Sequence, residues 1–296
     1  MTETTLPRPT EDTSQGLFYA LAAYGLWGFL PLYLKLLSHI GPVEVVAHRI
    51  LWSIPIAVAV LAVAGRTADI VTALRTPRML LMGLVTAGLI SINWTIYVFA
   101  VASDRALDAA LGYYVNPLFS VFLGAVLLGE RLNRLQLVAV ALAALAVLVL
   151  TVEAGRLPLT ALGLSISWGF YALAKKQLPI GPNQGFLLEV LILLPAALGY
   201  LIWLGASGHF AAGWSDTLLL IGCGFVTAIP LLFYANGAKR LRLTTIAILQ
   251  YIAPTMIAVI AVFAFGEPVG PGRAIAFPLI WAALVVYSIS LFRARP

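Results

Sequence analysis

Ten stretches of predominantly apolar residues follow one another along this chain, at 16–38, 43–64, 78–102, 106–128, 134–152, 158–177, 183–205, 216–238, 243–265 and 273–292. A helix of about 20 residues crosses the hydrocarbon core of a bilayer. In hydrocarbon, backbone N–H and C=O groups must be satisfied within the segment. The pattern therefore predicts an all-α membrane protein of ten transmembrane helices. Most of the separators are short and carry Gly, Pro or charges, as in HIGP, ASDRA, GERLN and GEPVGPG. Charged residues make up 10% of the chain, against about 25% in a soluble domain, too few to cover a water-facing surface. The net charge of +6 is spread over short loops, so no nucleic-acid partner is expected; the lipid bilayer and a small-molecule substrate are.

Lys and Arg set the expected orientation. With the N-terminus inside, Arg66, Arg75, Arg78, Arg131, Arg134, Lys175, Lys176, Lys239, Arg240, Arg242, Arg293 and Arg295 fall on the inner side. The outer loops carry Arg105, Arg156 and Arg273. Both termini are thus expected in the cytoplasm. The polar opening, with Pro7, Pro9, Glu11 and Asp12, reads as a short disordered tail rather than a cleavable signal. One cysteine, Cys223, allows no disulfide within the chain. No P-loop, dinucleotide fingerprint or HExxH run is present, and no cofactor or metal is expected.

The chain also repeats itself. LGYYVNPLFSVFLGAVLLGER aligns at an offset of 137 with ILQYIAPTMIAVIAVFAFGEP: Tyr114 matches Tyr251, Pro117 matches Pro254, and Gly129-Glu130 match Gly266-Glu267. Tyr97 likewise matches Tyr234. Nearer the N-terminus the offset is 140 or 141, pairing Trp27-Gly28-Phe29 with Trp168-Gly169-Phe170 and Ile40-Gly41-Pro42 with Ile180-Gly181-Pro182. Five spans lie in each half, and an odd number reverses the second half. The expected fold is a 5+5 inverted-topology repeat, the architecture of many secondary transporters, with the substrate at the repeat interface. The expected boundaries are a tail at 1–15, a first repeat at 16–152, a second at 158–292 and a tail at 293–296.

The runs LAAYGLWGFLPLYLKLL, EVVAHRILWS, INWTIYVFAV, ALGYYVNPLFSVFLGAVLLGERL and LQYIAPTMIAVIAVFAFGE resemble the EamA-type drug/metabolite transporter superfamily, in its RarD-like permease branch. The resemblance covers nearly the whole chain; the HRxxWS and GYYxNPL runs carry most of its specificity. It implies ten helices, a 5+5 inverted repeat, export of small metabolites and a bacterial inner membrane. Amino-acid exporters, including ones for aromatic amino acids, belong to the same superfamily, and the branch name implies a link to chloramphenicol.

At helical spacing Tyr113, Asn116, Pro117, Ser120 and Gly124 fall near one stripe. Polar groups within a membrane face the bundle interior or a wet cavity. The stripe reads as a cavity wall, and Pro117 with its counterpart Pro254 as hinges; a packing face with one proline kink is the competing reading. Asn93, Trp94 and Tyr97 combine an amide with apolar rings, which suits a zwitterionic or amphipathic small molecule. An aromatic belt at the membrane boundary would also explain them. Trp27, Trp168 and Tyr171 are expected to line the pathway, with Gly28 and Gly169 admitting neighbouring helices. Gln250 and Tyr251 complete the expected substrate-binding set. His48, Arg49 and Glu189 are candidate buried charges. Arg49 and Glu189 are repeat equivalents and either pair with each other or snorkel separately to water. His48 reads as a protonation switch or a structural hydrogen-bonding residue. Glu130 and Glu267 are expected at the water interface, satisfying helix ends.

The function expected is a secondary exporter of small metabolites, amino acids above all, aromatic or otherwise neutral, by alternating access. The alternative is a drug or antibiotic efflux permease for chloramphenicol-like compounds. A channel predicts conductance without counterflow. A membrane enzyme would need convergent acids, metal ligands or histidines, and His39, His48 and His209 look scattered; no enzymatic activity is expected. Energy coupling stays open between proton antiport, with Glu44 and Glu189 as candidate acids, and facilitated diffusion. Oligomeric state is open as well.

Overall fold

The computed structural model describes residues 13–63, 65, 68–128, 132–238, 240–241 and 243–293. Among them the regular elements are all helical. They are α1 (Ser14–Leu36), α2 (Pro42–Val63), α3 (Ala68–Arg75), α4 (Pro77–Ala102), α5 (Ala106–Leu128), α6 (Arg134–Ala154), α7 (Leu159–Gln177), α8 (Pro182–Leu204), α9 (Trp214–Ala238), α10 (Leu243–Leu249), α11 (Ile252–Phe263) and α12 (Pro271–Arg293), with a 3-10 turn at Gly205–Ser207. Eight of these, α1, α2, α4, α5, α6, α8, α9 and α12, are long and apolar enough to cross a membrane. The expected sixth span corresponds to α7, a helix that carries Ser165, Ser167 and Lys175.

Two expectations need correction. The ninth span is two helices, broken at Gln250–Tyr251. Pro254 has no N–H, and its ring crowds the carbonyl four residues back, which belongs to Gln250. The chain turns there, with Tyr251 N–H donating to the Ile248 carbonyl three residues behind. Pro117, its repeat counterpart, sits inside an unbroken α5. The separator after α2 also contains α3, an eight-residue helix that buries Ile70 and Ala73. An apolar stripe that short does not resemble a span. The first helix starts two residues earlier than the expected tail allows, because Thr13 Oγ1 accepts from Gly16 N–H at 3.0 Å as its N-cap. Residues 1–12 and 294–296 of the expected tails, and Glu130, lie outside the described residues.

The principal packed pairs are α1 with α9 and α11, α2 with α8 and α9, α4 with α7 and α8, α5 with α7 and α11, and α6 with α12. This set is unchanged when each helix of the first half is exchanged for its counterpart in the second. Helices in lipid gain little from the hydrophobic effect between them and associate by close packing. The pair α6–α12 runs along buried alanines, Ala139, Ala143 and Ala146 on one helix and Ala276 and Ala283 on the other. A Cβ on Gly28 would stand 2.6 Å from Met256 Sδ, and one on Gly169 would stand 2.5 Å from a ring carbon of Phe119. Met256 and Phe119 are themselves related by the 137-residue offset. Repeat-equivalent glycines thus admit repeat-equivalent side chains, the packing role expected for them.

Candidate functional site

The α5 stripe faces the bundle interior. Asn116 and Pro117 are buried and Tyr113 is half-buried, while Phe122, Val126 and Leu127 on the same helix are exposed. Asn93, Trp94 and Tyr97 are buried too, which removes the aromatic-belt reading. Belt-like tryptophans exist elsewhere: Trp203 and Trp214, 77% and 85% exposed, close α8 and open α9. Asn93 Nδ2 donates to the Leu164 carbonyl at 3.1 Å and to Ser167 Oγ at 2.9 Å, and its Oδ1 accepts from Tyr113 O–H at 3.4 Å. Tyr113 in turn meets the Tyr97 ring edge-on, 5.4 Å between centroids.

Beside these rings lies Arg49, 3% exposed. Its Nε donates to Thr227 Oγ1 at 3.0 Å, and its guanidinium sits over the Trp94 ring, 4.9 Å from the centroid. The ion pair with Glu189 is not made. Glu189 instead accepts from Lys175 Nζ at 2.6 Å and from Tyr171 O–H at 3.3 Å. Arg49 lies in the first half of α2 and Glu189 in the first half of α8, and each finds its partner on another helix, α9 for Arg49 and α7 for Glu189. The charge pattern alone sets Lys175 on the inner side. It stands four residues after Tyr171, on one helix face, and that spacing was the missed signal. Thr227 and Ser167 had no sequence signal beyond being polar in an apolar run.

Trp168 packs on Tyr171, and Trp27 packs with Tyr24 and Tyr234. Tyr251 stacks near its repeat counterpart Tyr114, 6.5 Å between centroids, and Tyr114 O–H bonds Thr255 Oγ1 at 2.6 Å. Gln250 is half-buried at the α10–α11 break. His48 Nδ1 accepts from the Trp52 indole at 3.2 Å, and its ring stacks on Phe210 at 5.1 Å. Five buried side-chain polar atoms lack a hydrogen-bond partner among the described residues: His48 Nε2, Arg49 Nη1, Tyr97 Oη, Asn116 Oδ1 and Tyr251 Oη. All five belong to residues singled out from sequence.

The end of the bundle that charge pattern expects to face outward is tied between halves. Glu44 accepts from His209 N–H at 2.6 Å and meets its Nδ1 at 3.0 Å; His39 meets Asp216 at 3.1 Å. The His39 and His209 rings stand 5.8 Å apart, so two of the three histidines converge rather than scatter. Arg273 donates to Asp108 at 2.7 Å. Lys35 pairs with Asp104. Glu267 accepts from Ala106 N–H at 2.6 Å and Leu107 N–H at 3.0 Å, closing the N-terminus of α5 as a helix-end carboxylate should.

Burial pushes the Glu267 carboxyl above its ordinary 4.5, against the opposing pull of those two amides and Arg273; Asp108 adds to the rise. A raised folded pKa means that the folded protein holds the proton more tightly than the unfolded chain. Its stabilising contribution is complete below the unfolded pKa and is lost as pH rises through the folded one. Wild type should therefore lose melting temperature relative to Glu267→Gln as pH climbs out of the acidic range. A wild type that gains on the variant instead would show that the amide bonds outweigh burial.

Two hollows stand out among the described residues. One of about 450 Å³ is lined by Trp52, Pro55, Ile56, Ala59, Val60, Ile221 and Phe225, between α2 and α9. The other, about 220 Å³, lies among Arg105, Asp108, Glu153, Arg156 and Arg273 at the expected outer end. Neither is lined by the expected substrate-binding residues.

The model of the EamA-like transporter family matches this chain twice, over residues 14–152 and 157–289. An "Uncharacterized transporter" of Vibrio cholerae is 40% identical over 96% of this chain and 95% of its own length. "Protein RarD" of Streptomyces exfoliatus is 43% identical, over 94% of this chain and 89% of that one. The "Chloramphenicol-sensitive protein RarD" of Pseudomonas aeruginosa is 32% identical over 93% of both. A solved structure described as "Crystal structure of protein" is similar with a TM-score of 0.62, at 22% identity over 96% of this chain and 99% of that one, a likeness of fold alone.

Proposed function

Because the chain belongs to the EamA-like transporter family, in its RarD-like branch, we propose that it is a secondary transporter of the bacterial inner membrane. In this reading it exports small metabolites, chiefly aromatic or other neutral amino acids, by alternating access, with both termini in the cytoplasm. The single observation that carries the site is the coincidence of unpartnered polar atoms with the expected binding residues. A buried donor or acceptor left unmade costs about 1–3 kcal/mol. Three of the five, Tyr97 Oη, Asn116 Oδ1 and Tyr251 Oη, fall on the expected binding residues and suit a site completed by a polar small molecule between aromatic walls.

The two family matches and the exchange-symmetric packing support ten spans in a 5+5 inverted repeat, with α10 and α11 together as the ninth. Such repeats alternate by rocking one bundle against the other. The ties at the expected outer end then belong to an outward-closed conformation, and Glu44–His209, Glu267–α5 and Arg273–Asp108 are the contacts that outward opening breaks. Pro254, with the helix already interrupted, is the stronger hinge of the proline pair. Lys175–Glu189 lies toward the inner end, where Glu189 is the candidate for proton coupling.

Counterflow tests the reading. Proteoliposomes preloaded with unlabelled phenylalanine should transiently accumulate labelled phenylalanine, and tryptophan, methionine and threonine should compete. Conductance without accumulation would mean a pore. The second reading, drug efflux, is favoured by the name of the Pseudomonas aeruginosa relative. It predicts that chloramphenicol, and no amino acid, drives and inhibits counterflow.

A further inference from the structure

We propose that Arg49 is the anion anchor of the site, taking the carboxylate of a substrate whose apolar body lies against Trp94, Tyr97 and Tyr113. The term substrate rests on the transport reading; the binding claim stands without it.

Arg49 is the buried lysine or arginine among the described residues, and its guanidinium stays protonated in proteins. Among the described residues, the guanidinium's one hydrogen bond goes to a neutral hydroxyl, that of Thr227, which itself donates to the Cys223 carbonyl at 2.7 Å. The buried carboxylates among the described residues are engaged elsewhere, Glu189 by Lys175, Glu44 by His209 and Glu267 by the α5 amides, and the half-buried Asp108 is held by Arg105 and Arg273. Among the described residues, then, Glu189 is paired with Lys175 and Glu44 with His209, and the charge of Arg49 has no counter-ion. The Trp94 face offsets part of that charge, but a ring is no substitute for a counter-ion.

The unpartnered atoms fix the sign of the missing group. Arg49 Nη1 is a donor, and the nearby Tyr97 hydroxyl has a proton to give; neither has a partner. A carboxylate accepts from both and brings the opposite charge, in the planar geometry that suits a guanidinium. An ammonium group meets like charge there. Asn116 Oδ1, an unpartnered acceptor one turn from Tyr113, is of the right kind for the ammonium of an amino acid.

Binding to the purified detergent-solubilised protein, followed by calorimetry, tests this with three probes that share a phenyl ring: 3-phenylpropionate, phenylalanine and phenethylamine. The two carboxylates should bind at least about tenfold more tightly than the amine. Arg49→Gln should erase that preference. Arg49→Lys should keep part of it, since charge is retained and the fork lost. Tyr97→Phe, a milder change should Arg49→Gln fail to fold, should weaken the carboxylates several-fold and leave the amine unmoved. Phenethylamine binding as well as 3-phenylpropionate overturns the proposal, as do an unchanged preference in Arg49→Lys and Tyr97→Phe together, or no carboxylate binding to folded wild type. Binding of 3-phenylpropionate without phenylalanine keeps the anchor and removes the amino-acid reading. Phenylalanine counterflow indifferent to Arg49 keeps the transport reading and removes the anchor.

Discussion

Replacing Glu189 with alanine should cost the folded protein about 3–5 kcal/mol, the loss expected when one partner of a buried ion pair is removed. Glu189 has a side chain 1% exposed, and Lys175, at 20%, is bound to it at 2.6 Å. Alanine leaves the ammonium of Lys175 without its counter-ion beside the Tyr171 ring, 5.5 Å from the centroid. The reading is the melting temperature of the purified protein in detergent. Adding Lys175→Met to Glu189→Ala should return most of the loss, because well-packed apolar residues often replace a buried pair at no cost. A stable double variant that fails in counterflow would place the pair on the transport cycle; one that transports normally would make it structural. Arg49→Ala and Glu189→Ala combined should be additive within about 0.5 kcal/mol, as sites without shared partners are. A single Glu189→Ala loss below about 1 kcal/mol would mean that water already solvates the pair.

The helix boundaries were legible because they follow from a requirement of the bilayer, about 20 apolar residues between polar separators. The fourth expected span and α5 coincide at 106–128. The failures fall where that requirement does not apply. The short α3 buries its own Ile70 and Ala73 rather than spanning anything, and the α10–α11 break comes from Pro254, whose counterpart Pro117 leaves α5 intact. One proline pattern gave two outcomes because tertiary packing decides whether a freed carbonyl can be accommodated. The site residues were legible as types, since polar side chains in apolar runs are few, but their partners were not. Repeat equivalence suggested Arg49 with Glu189. Under the proposed inverted repeat, equivalent residues fall at opposite ends, so such pairs meet only near the axis; Tyr114 and Tyr251 do meet. Of the actual partners, Thr227 comes to Arg49 from a helix 178 residues further along, whereas Lys175 reaches Glu189 from the preceding helix, 14 residues before it.

Gly224→Ala should be the most damaging single-methyl change in the bundle, costing about 3 kcal/mol, the upper part of the range for overpacking. A Cβ there would stand 2.2 Å from the Trp52 carbonyl oxygen and 2.4 Å from its carbon. Carbon contacts are comfortable near 3.5–4.0 Å, and backbone cannot rotate aside, so α9 must move away from α2. Gly222→Ala meets the Tyr33 hydroxyl instead, and Gly25→Ala meets nothing within 4 Å. The first should cost less, and the second should stabilise by up to about 1 kcal/mol through helix propensity. The ranking across the three, by melting temperature, separates a backbone collision from a general intolerance of methyl groups. The displacement also reaches the site. Gly224 lies three residues before Thr227 on α9, and Trp52 three after Arg49 on α2, so parting the helices pulls the hydroxyl away from Arg49 Nε, now 3.0 Å distant. If Arg49 anchors the substrate carboxylate, Gly224→Ala should weaken carboxylate probes more than phenethylamine, in protein that still folds at low temperature. Equal weakening of all three would confine the α2–α9 contact to stability.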